Sequence, residues 1–169
     1  MWRHWWLIAL CGSLWCGCAG YRLGPTNGQL AGAKSIRVNL FRNETYEPRL
    51  AEAIGTALRR SLQQDGTYHL NTHGDPDIVV DGVITRYRRM GVAFNPTDTI
   101  TPTDFQIAIL AKITAIERSS GKIVLDREVG GRTTIRIGPD LTSAERQAVP
   151  NLAEDLARNV TSLLVDGTW

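Results

Sequence analysis

Residues 104–137 read DFQIAILAKITAIERSSGKIVLDREVGGRTTIRI, two alternating runs joined by a turn, and they decide the fold. Phe105, Ile107, Ile109, Ala111, Ile113 and Ala115 share one side of an extended chain. Gln106, Ala108, Leu110, Lys112, Thr114, Ile116 and Arg118 share the other. A period of two residues with one apolar side is a strand with one buried face. Ser119-Ser120-Gly121-Lys122 is a tight hairpin turn, and residues 123–137 are the returning strand. Gly130-Gly131 within that strand marks a bulge or bend. An antiparallel pair with one apolar face needs a second layer to cover it.

Upstream, residues 77–89 (DIVVDGVITRYRR) are a further long strand. Strict alternation puts Ile78, Val80, Gly82, Ile84, Arg86 and Arg88 on one face. Val79, Asp81, Val83, Thr85, Tyr87 and Arg89 fall on the other. The far end is basic, so it is expected to project beyond the core. Residues 90–103 (MGVAFNPTDTITPT) read as a long loop, because Pro96 and Pro102 interrupt any strand. Val92, Ala93, Phe94 and Ile100 make that loop unusually apolar. Beside Arg86, Arg88 and Arg89 it suits a partner or an amphiphilic ligand, or it folds back on its own sheet.

The remaining elements supply the covering layer. Residues 35–41 (SIRVNLF) alternate as a strand, with Ile36, Val38 and Leu40 on its buried side. Residues 49–64 carry a helical stripe of Leu50, Ile54, Ala57, Leu58, Ser61 and Leu62; Glu47 and Pro48 suit its start, and Asp65-Gly66 stops it. Residues 67–70 are a short extended return. Residues 141–148 read as a helical turn or first segment, with a kink or fresh start at Pro150. Leu152, Leu156, Val160, Leu163 and Leu164 form the stripe of a closing helix. The expected fold is α+β: a two-layer sandwich, a four-stranded, mostly antiparallel (mixed) sheet with two helices packed on one face, in a single domain over residues 35–169.

The N-terminal stretch MWRHWWLIALCGSLWCGC places the chain in the cell. A basic start, a short apolar core and a small residue at Gly17 are the marks of an export signal over residues 1–17. The run is too short for a spanning helix, which needs about 20 apolar residues. The three cysteines of the chain are Cys11, Cys16 and Cys18, so cleavage after Gly17 leaves one, at the new N-terminus. This is the arrangement of a bacterial lipoprotein, with Cys18 the lipidated residue and residues 18–34 a glycine-rich tether. Ala19 after Cys18 favours the outer membrane over the inner. No disulfide framework is available.

Composition narrows the function. The formal net charge is +2, which is unlike a nucleic-acid binder. Lys34, Lys112 and Lys122 are the only lysines among 19 basic residues, and the rest are arginines, suited to bidentate contacts with phosphate or carboxylate. No nucleophilic or phosphate-cradling constellation points to catalysis. His69 and His73 flank a Gly74/Pro76 turn that excludes a helical metal pair, and Asp75 and Asp77 lack a third ligand. Neither a metal nor a cofactor is expected beyond the lipid on Cys18.

Cys18-Ala19-Gly20-Tyr21-Arg22-Leu23, Ile36-Arg37-Val38, residues 41–48 (FRNETYEP), Asp65-Gly66, residues 77–87 and the closing helix to Trp169 together resemble the LptE family of lipopolysaccharide-assembly lipoproteins. The resemblance implies an outer-membrane lipoprotein that plugs and helps assemble the LptD β-barrel translocon and binds lipopolysaccharide on its way to the outer leaflet. It also implies a four-stranded sheet with two helices. In that family, basic residues near the loop end of the sheet are linked to lipopolysaccharide binding. Here the implied candidates are Arg86, Arg88, Arg89, Arg127 and Arg132, with Val92, Phe94, Asn95 and Pro96 facing the partner. The tip of the loop, Phe94-Asn95-Pro96, departs from the pattern in carrying no basic residue. The competing reading is a periplasm-facing lipoprotein that serves as an adaptor in another envelope transport machine.

Overall fold

The computed structural model of the protein describes residues 32–136 and 140–166. The expected signal peptide, Cys18 and the tether to residue 31 lie outside the described residues. In chain order the elements are β1 (Lys34–Val38), β2 (Arg42–Asn43), α1 (Leu50–Asp65), β3 (Tyr68–Leu70), β4 (Ile78–Asn95), β5 (Asp98–Glu117), β6 (Ile123–Arg136) and α2 (Leu141–Asp166). They form one sheet in the order β3-β1-β4-β5-β6, with β2 continuing the line of β1 beside β4. β1 is parallel to both β3 and β4, and β4, β5 and β6 run antiparallel.

The α+β sandwich agrees with expectation, but the sheet has six strands rather than four. The two additions span three and two residues, too few to show a period. Tyr68 explains why so short a strand as β3 holds: its buried ring packs in the core and its hydroxyl donates to the Leu164 carbonyl at 2.9 Å.

Both helices cover the same face. Leu50, Ile54, Leu58 and Leu62 of α1 and Leu152, Leu156, Val160 and Leu164 of α2 are buried against Ile36, Val80, Ile84, Ile107, Ile113 and Leu125. Where the helices meet, the Thr161 hydroxyl donates to Ser61 Oγ at 2.8 Å, which satisfies a buried polar group. Gly66 ends α1 in the left-handed conformation, φ 76°, and its N–H reaches back to the Leu62 carbonyl.

Three local expectations are corrected. Leu40 does not join the buried side: the chain leaves the strand after Val38, so Phe41 turns inward and Leu40 is exposed. Phe41 fits because Gly82 has no side chain; a Cβ there would lie 2.1 Å from the ring. Gly130-Gly131 makes no bulge, since β5 and β6 stay in register across it. Gly131 instead lets α2 come close: a Cβ would lie 2.8 Å from Leu156 Cβ and from its backbone nitrogen. Finally, no new helix starts at Pro150: α2 runs from Leu141 to Asp166, with Pro150 inside it on the exposed side. Asp140 caps it, accepting from the N–H groups of Thr142 and Ser143 and from the Ser143 hydroxyl, and that bonding holds its carboxyl below the usual range.

Candidate functional site

One irregularity in β4 sets the geometry of the basic residues. Ile84 pairs with Ala111, and Arg86 with Leu110, so Thr85 is an extra residue, a bulge. The bulge reverses the alternation. Before it, Ile78, Val80 and Ile84 face the helices; after it, Tyr87 and Arg89 do. Arg86 and Arg88 therefore lie on the open face of the sheet, opposite to the side that strict alternation assigns them.

The register then places the arginines across three strands. Arg88 pairs with Ala108, which pairs with Arg132. Neighbouring strands lie about 4.8 Å apart, so the backbones at Arg88 and Arg132 are about 10 Å apart, with a methyl between them. Arg86 lies over Leu110 and Gly130 in the next row, and Met90 over Gln106 and Thr134 in the row beyond. Arg86, Arg88 and Arg132 are exposed and make no ion pair among the described residues. The result is a shallow apolar strip, Leu110 and Ala108, bordered by three uncommitted guanidinium groups. Such a surface can hold a phosphate- or carboxylate-bearing amphiphile by charge-assisted bonds at the edges and apolar contact between them.

The other two candidates sit elsewhere. Arg89 faces the helix side, where its guanidinium donates to Glu145 of α2 at 2.6 Å and lies 5.3 Å from the centre of the Phe105 ring. It is a structural tie. The same packing buries much of Tyr87 and, with Glu145 nearby, pushes its hydroxyl up to about 12. Arg127 also lies on the helix side of β6, opposite Ile113, and is exposed.

Residues 90–103 are not a loop. β4 continues to Asn95 and β5 begins at Asp98, and only Pro96-Thr97 turns. Asn95 accepts from the Thr97 N–H and hydroxyl, and Asp98 accepts from the N–H groups of Ile100 and Thr101, which stiffens the tip. The prolines fit because this end of the hairpin is irregular: register shifts follow Gly91, Ala93 and Phe94. Val92, Phe94, Met90 (61 % exposed) and Ile100 (88 % exposed) stand in solvent. A groove of about 530 Å³ runs along the tip, lined by Phe94, Asn95, Pro96, Pro102, Thr103 and Arg136. Arg136 is a residue that sequence reasoning missed. It shares the open face with Arg132 by the two-residue period and pairs with Asp104 at 3.0 Å; its four-residue spacing from Arg132 was the available signal.

Elsewhere, Asp75 pairs with Arg118, and Asp77 accepts from Ser35. Among the described residues no group of three His, Cys, Asp or Glu side chains could hold a metal ion, and no helix is long and apolar enough to cross a membrane.

These features define a class: a two-layer α+β domain with a basic open sheet face and a projecting apolar hairpin. The family model of LptE, lipopolysaccharide-assembly, matches residues 33–164, and the chain belongs to that family. Its description is one of assembly rather than of a reaction. No curated protein matches the chain. Among solved structures it is similar to a protein from Xanthomonas campestris (10 % identity, 86 % of this chain and 91 % of that one, TM-score 0.61). It is also similar to one from Chlamydia trachomatis (10 %, 78 % and 98 %, 0.55). A third is a minor lipoprotein from Acinetobacter baumannii (14 %, 78 % and 92 %, 0.52). At these identities the likeness is one of fold.

Proposed function

We propose that the protein is an outer-membrane lipoprotein, acylated at Cys18, that partners an LptD-type β-barrel and binds lipopolysaccharide on the open face of its sheet. Membership of the lipopolysaccharide-assembly family supports the pathway. The observation that carries the ligand reading is the row Arg88–Ala108–Arg132 with Arg86 beside it, three exposed guanidinium groups that make no ion pair among the described residues. Lipid phosphates accept bidentate pairs from such groups. A covalent lipid at the far end of a glycine-rich tether leaves the domain free to seat against a barrel, and a single acyl chain holds only marginally, so more than one is expected.

The test has two parts. Solubilising membranes in mild detergent should recover the protein with a large β-barrel; recovery of the protein alone overturns the partnership. Replacing Arg88 and Arg132 together by Glu should weaken binding to purified lipopolysaccharide more than tenfold, because each charge-assisted bond is worth about 1.5–3 kcal/mol. Arg127→Glu, on the opposite face, should change it little. Equal losses in the two variants would mean that net charge, rather than this face, holds the ligand.

A further inference from the structure

The two sides of β4 are unequally used. One side pairs with β5 along its whole length, from Ile78 to Asn95. The other pairs with β1 at Ile78–Val80 and with β2 at Val83–Ile84, and its last backbone bond is from Glu44 N–H to the Ile84 carbonyl. Beyond Thr85 that edge has no backbone partner among the described residues. The orientation of the free groups follows from those already paired. The carbonyls of Val80 and Ile84 accept from Asn39 and Glu44, so residues opposite Ala115 and Ala111 turn their polar groups outward. Two-residue alternation along β5 gives the same orientation to residues opposite Ile109, Ile107 and Phe105, which are Tyr87, Arg89 and Gly91. Three N–H and three C=O groups thus form a free ladder about 17 Å long, close to one ordinary strand.

The line of β2 leads straight to it. Where β2 ends, a cleft of about 310 Å³ lies between the turn Glu44–Glu47 and Thr85, Arg86 and Tyr87 of β4. Natural proteins blunt a long free edge with prolines, bulges or charges. Here one bulge, at Thr85, precedes the ladder, the others come after Gly91, and the prolines are at the tip and on β5, so Tyr87–Gly91 itself is regular and carries charge, with Arg86, Arg88 and Arg89 along it.

We propose that the β4 edge from Tyr87 to Gly91 is a pairing site for an extended segment of a different protein chain, one carrying acidic side chains. The charge pattern selects this occupant over two others. An antiparallel second copy would set Arg89 opposite its own copy when centred on Arg89, or Arg86 opposite Arg88 when centred on Tyr87, and like charges directly opposite repel. The protein's own residues 19–31 (AGYRLGPTNGQLA) carry Arg22 as their single charge and no acid to meet these arginines. An acidic strand meets Arg86 and Arg88 on the open face while its backbone completes the ladder.

The experiment uses the detergent-solubilised complex with the barrel and therefore rests on the partnership proposed above. Amide hydrogen exchange at Tyr87, Arg89 and Gly91 should slow at least tenfold in the complex relative to the free protein. Two variants separate backbone from side chain. Arg89→Pro removes an outward N–H, and Arg89→Ala keeps that N–H while losing the same tie to Glu145. The proline variant should reduce recovery of the barrel at least tenfold relative to the alanine variant. If no barrel is recovered with the wild type, both readings fall. If the complex forms and these amides exchange as in the free protein, the partnership stands and the edge pairing is overturned. Protection that rises with concentration in the free protein alone assigns the edge to a second copy and overturns the acidic partner.

Discussion

Asp77 gathers the junction of β1 and β4 on one carboxylate. It accepts from the Ser35 N–H and the Ser35 hydroxyl, both at 2.7 Å, while its own N–H donates to Ser35 Oγ at 2.9 Å. Those bonds favour the charged form and hold its carboxyl below the usual carboxylate range. Glu117 is lowered in the same way, first by the Lys34 ammonium at 2.7 Å and then by the Ser120 hydroxyl. A group whose pKa is lower folded than unfolded stabilises the protein above its unfolded pKa, and that stabilisation is lost as pH falls through the folded value. The thermal midpoint should therefore drop steeply on acidification below about pH 4, where unfolded carboxyls take up protons. In Asp77→Asn the drop should be shallower, because Asn still accepts from Ser35 but has no proton to gain. A wild-type slope in the variant would show that Asp77 does not carry this linkage. Such pairings are invisible in sequence, since Ser35 and Asp77 are 42 residues apart. The same holds for Arg89 and Glu145: their separation hid a tie that removes Arg89 from the set of free arginines.

At the scale of elements, legibility followed period and length. The stripe of α1 and the alternation of β5 are long enough to reveal their inner sides, and those residues are buried except Ser61 and Phe105, which are half-buried. β2 and β3 are too short to show a pattern, and their place depends on where β1 and β4 already lie. The arginine row failed for another reason. A single extra residue, Thr85, inverts the sides of β4 from Arg86 to Gly91, and nothing in DIVVDGVITRYRR marks it. Gly131 was legible as unusual but not as to why, because the reason is a helix 25 residues downstream. α2 lies against β6 so closely that its side chains satisfy the edge backbone: Asn159 donates to the Gly130 carbonyl at 2.8 Å and Asp155 accepts from the Arg132 N–H at 3.0 Å. Gly131→Ala should cost about 1–3 kcal/mol, as overpacking does, since the intruding methyl meets backbone rather than a flexible tip. Gly130→Ala, with its nearest neighbour at 3.6 Å, is the matched control and should cost less in denaturant titration. Equal midpoints would mean that α2 stands off from the strand.

Across the whole molecule, the two helices and the sheet share one buried cluster, so the domain has no internal boundary along which to open. Its far end is different: beyond Met90 the ribbon leaves the helical layer and carries apolar side chains outward. The part that holds the fold and the part offered to partners are thus separate, and a change in one can leave the other's chemistry alone. Leu156 sits at the centre of the first part, fully buried and packed on Gly131. Leu156→Ala removes buried methyl groups and leaves a cavity, at a cost of about 2–5 kcal/mol. Because one cluster serves every layer, the loss should appear as a single transition, lower by roughly 10 °C. Far-ultraviolet circular dichroism and the near-ultraviolet signal of the core tyrosine Tyr68 should move together. Helical signal lost at a lower temperature than the tyrosine signal would instead show that α2 detaches from a sheet able to stand without it.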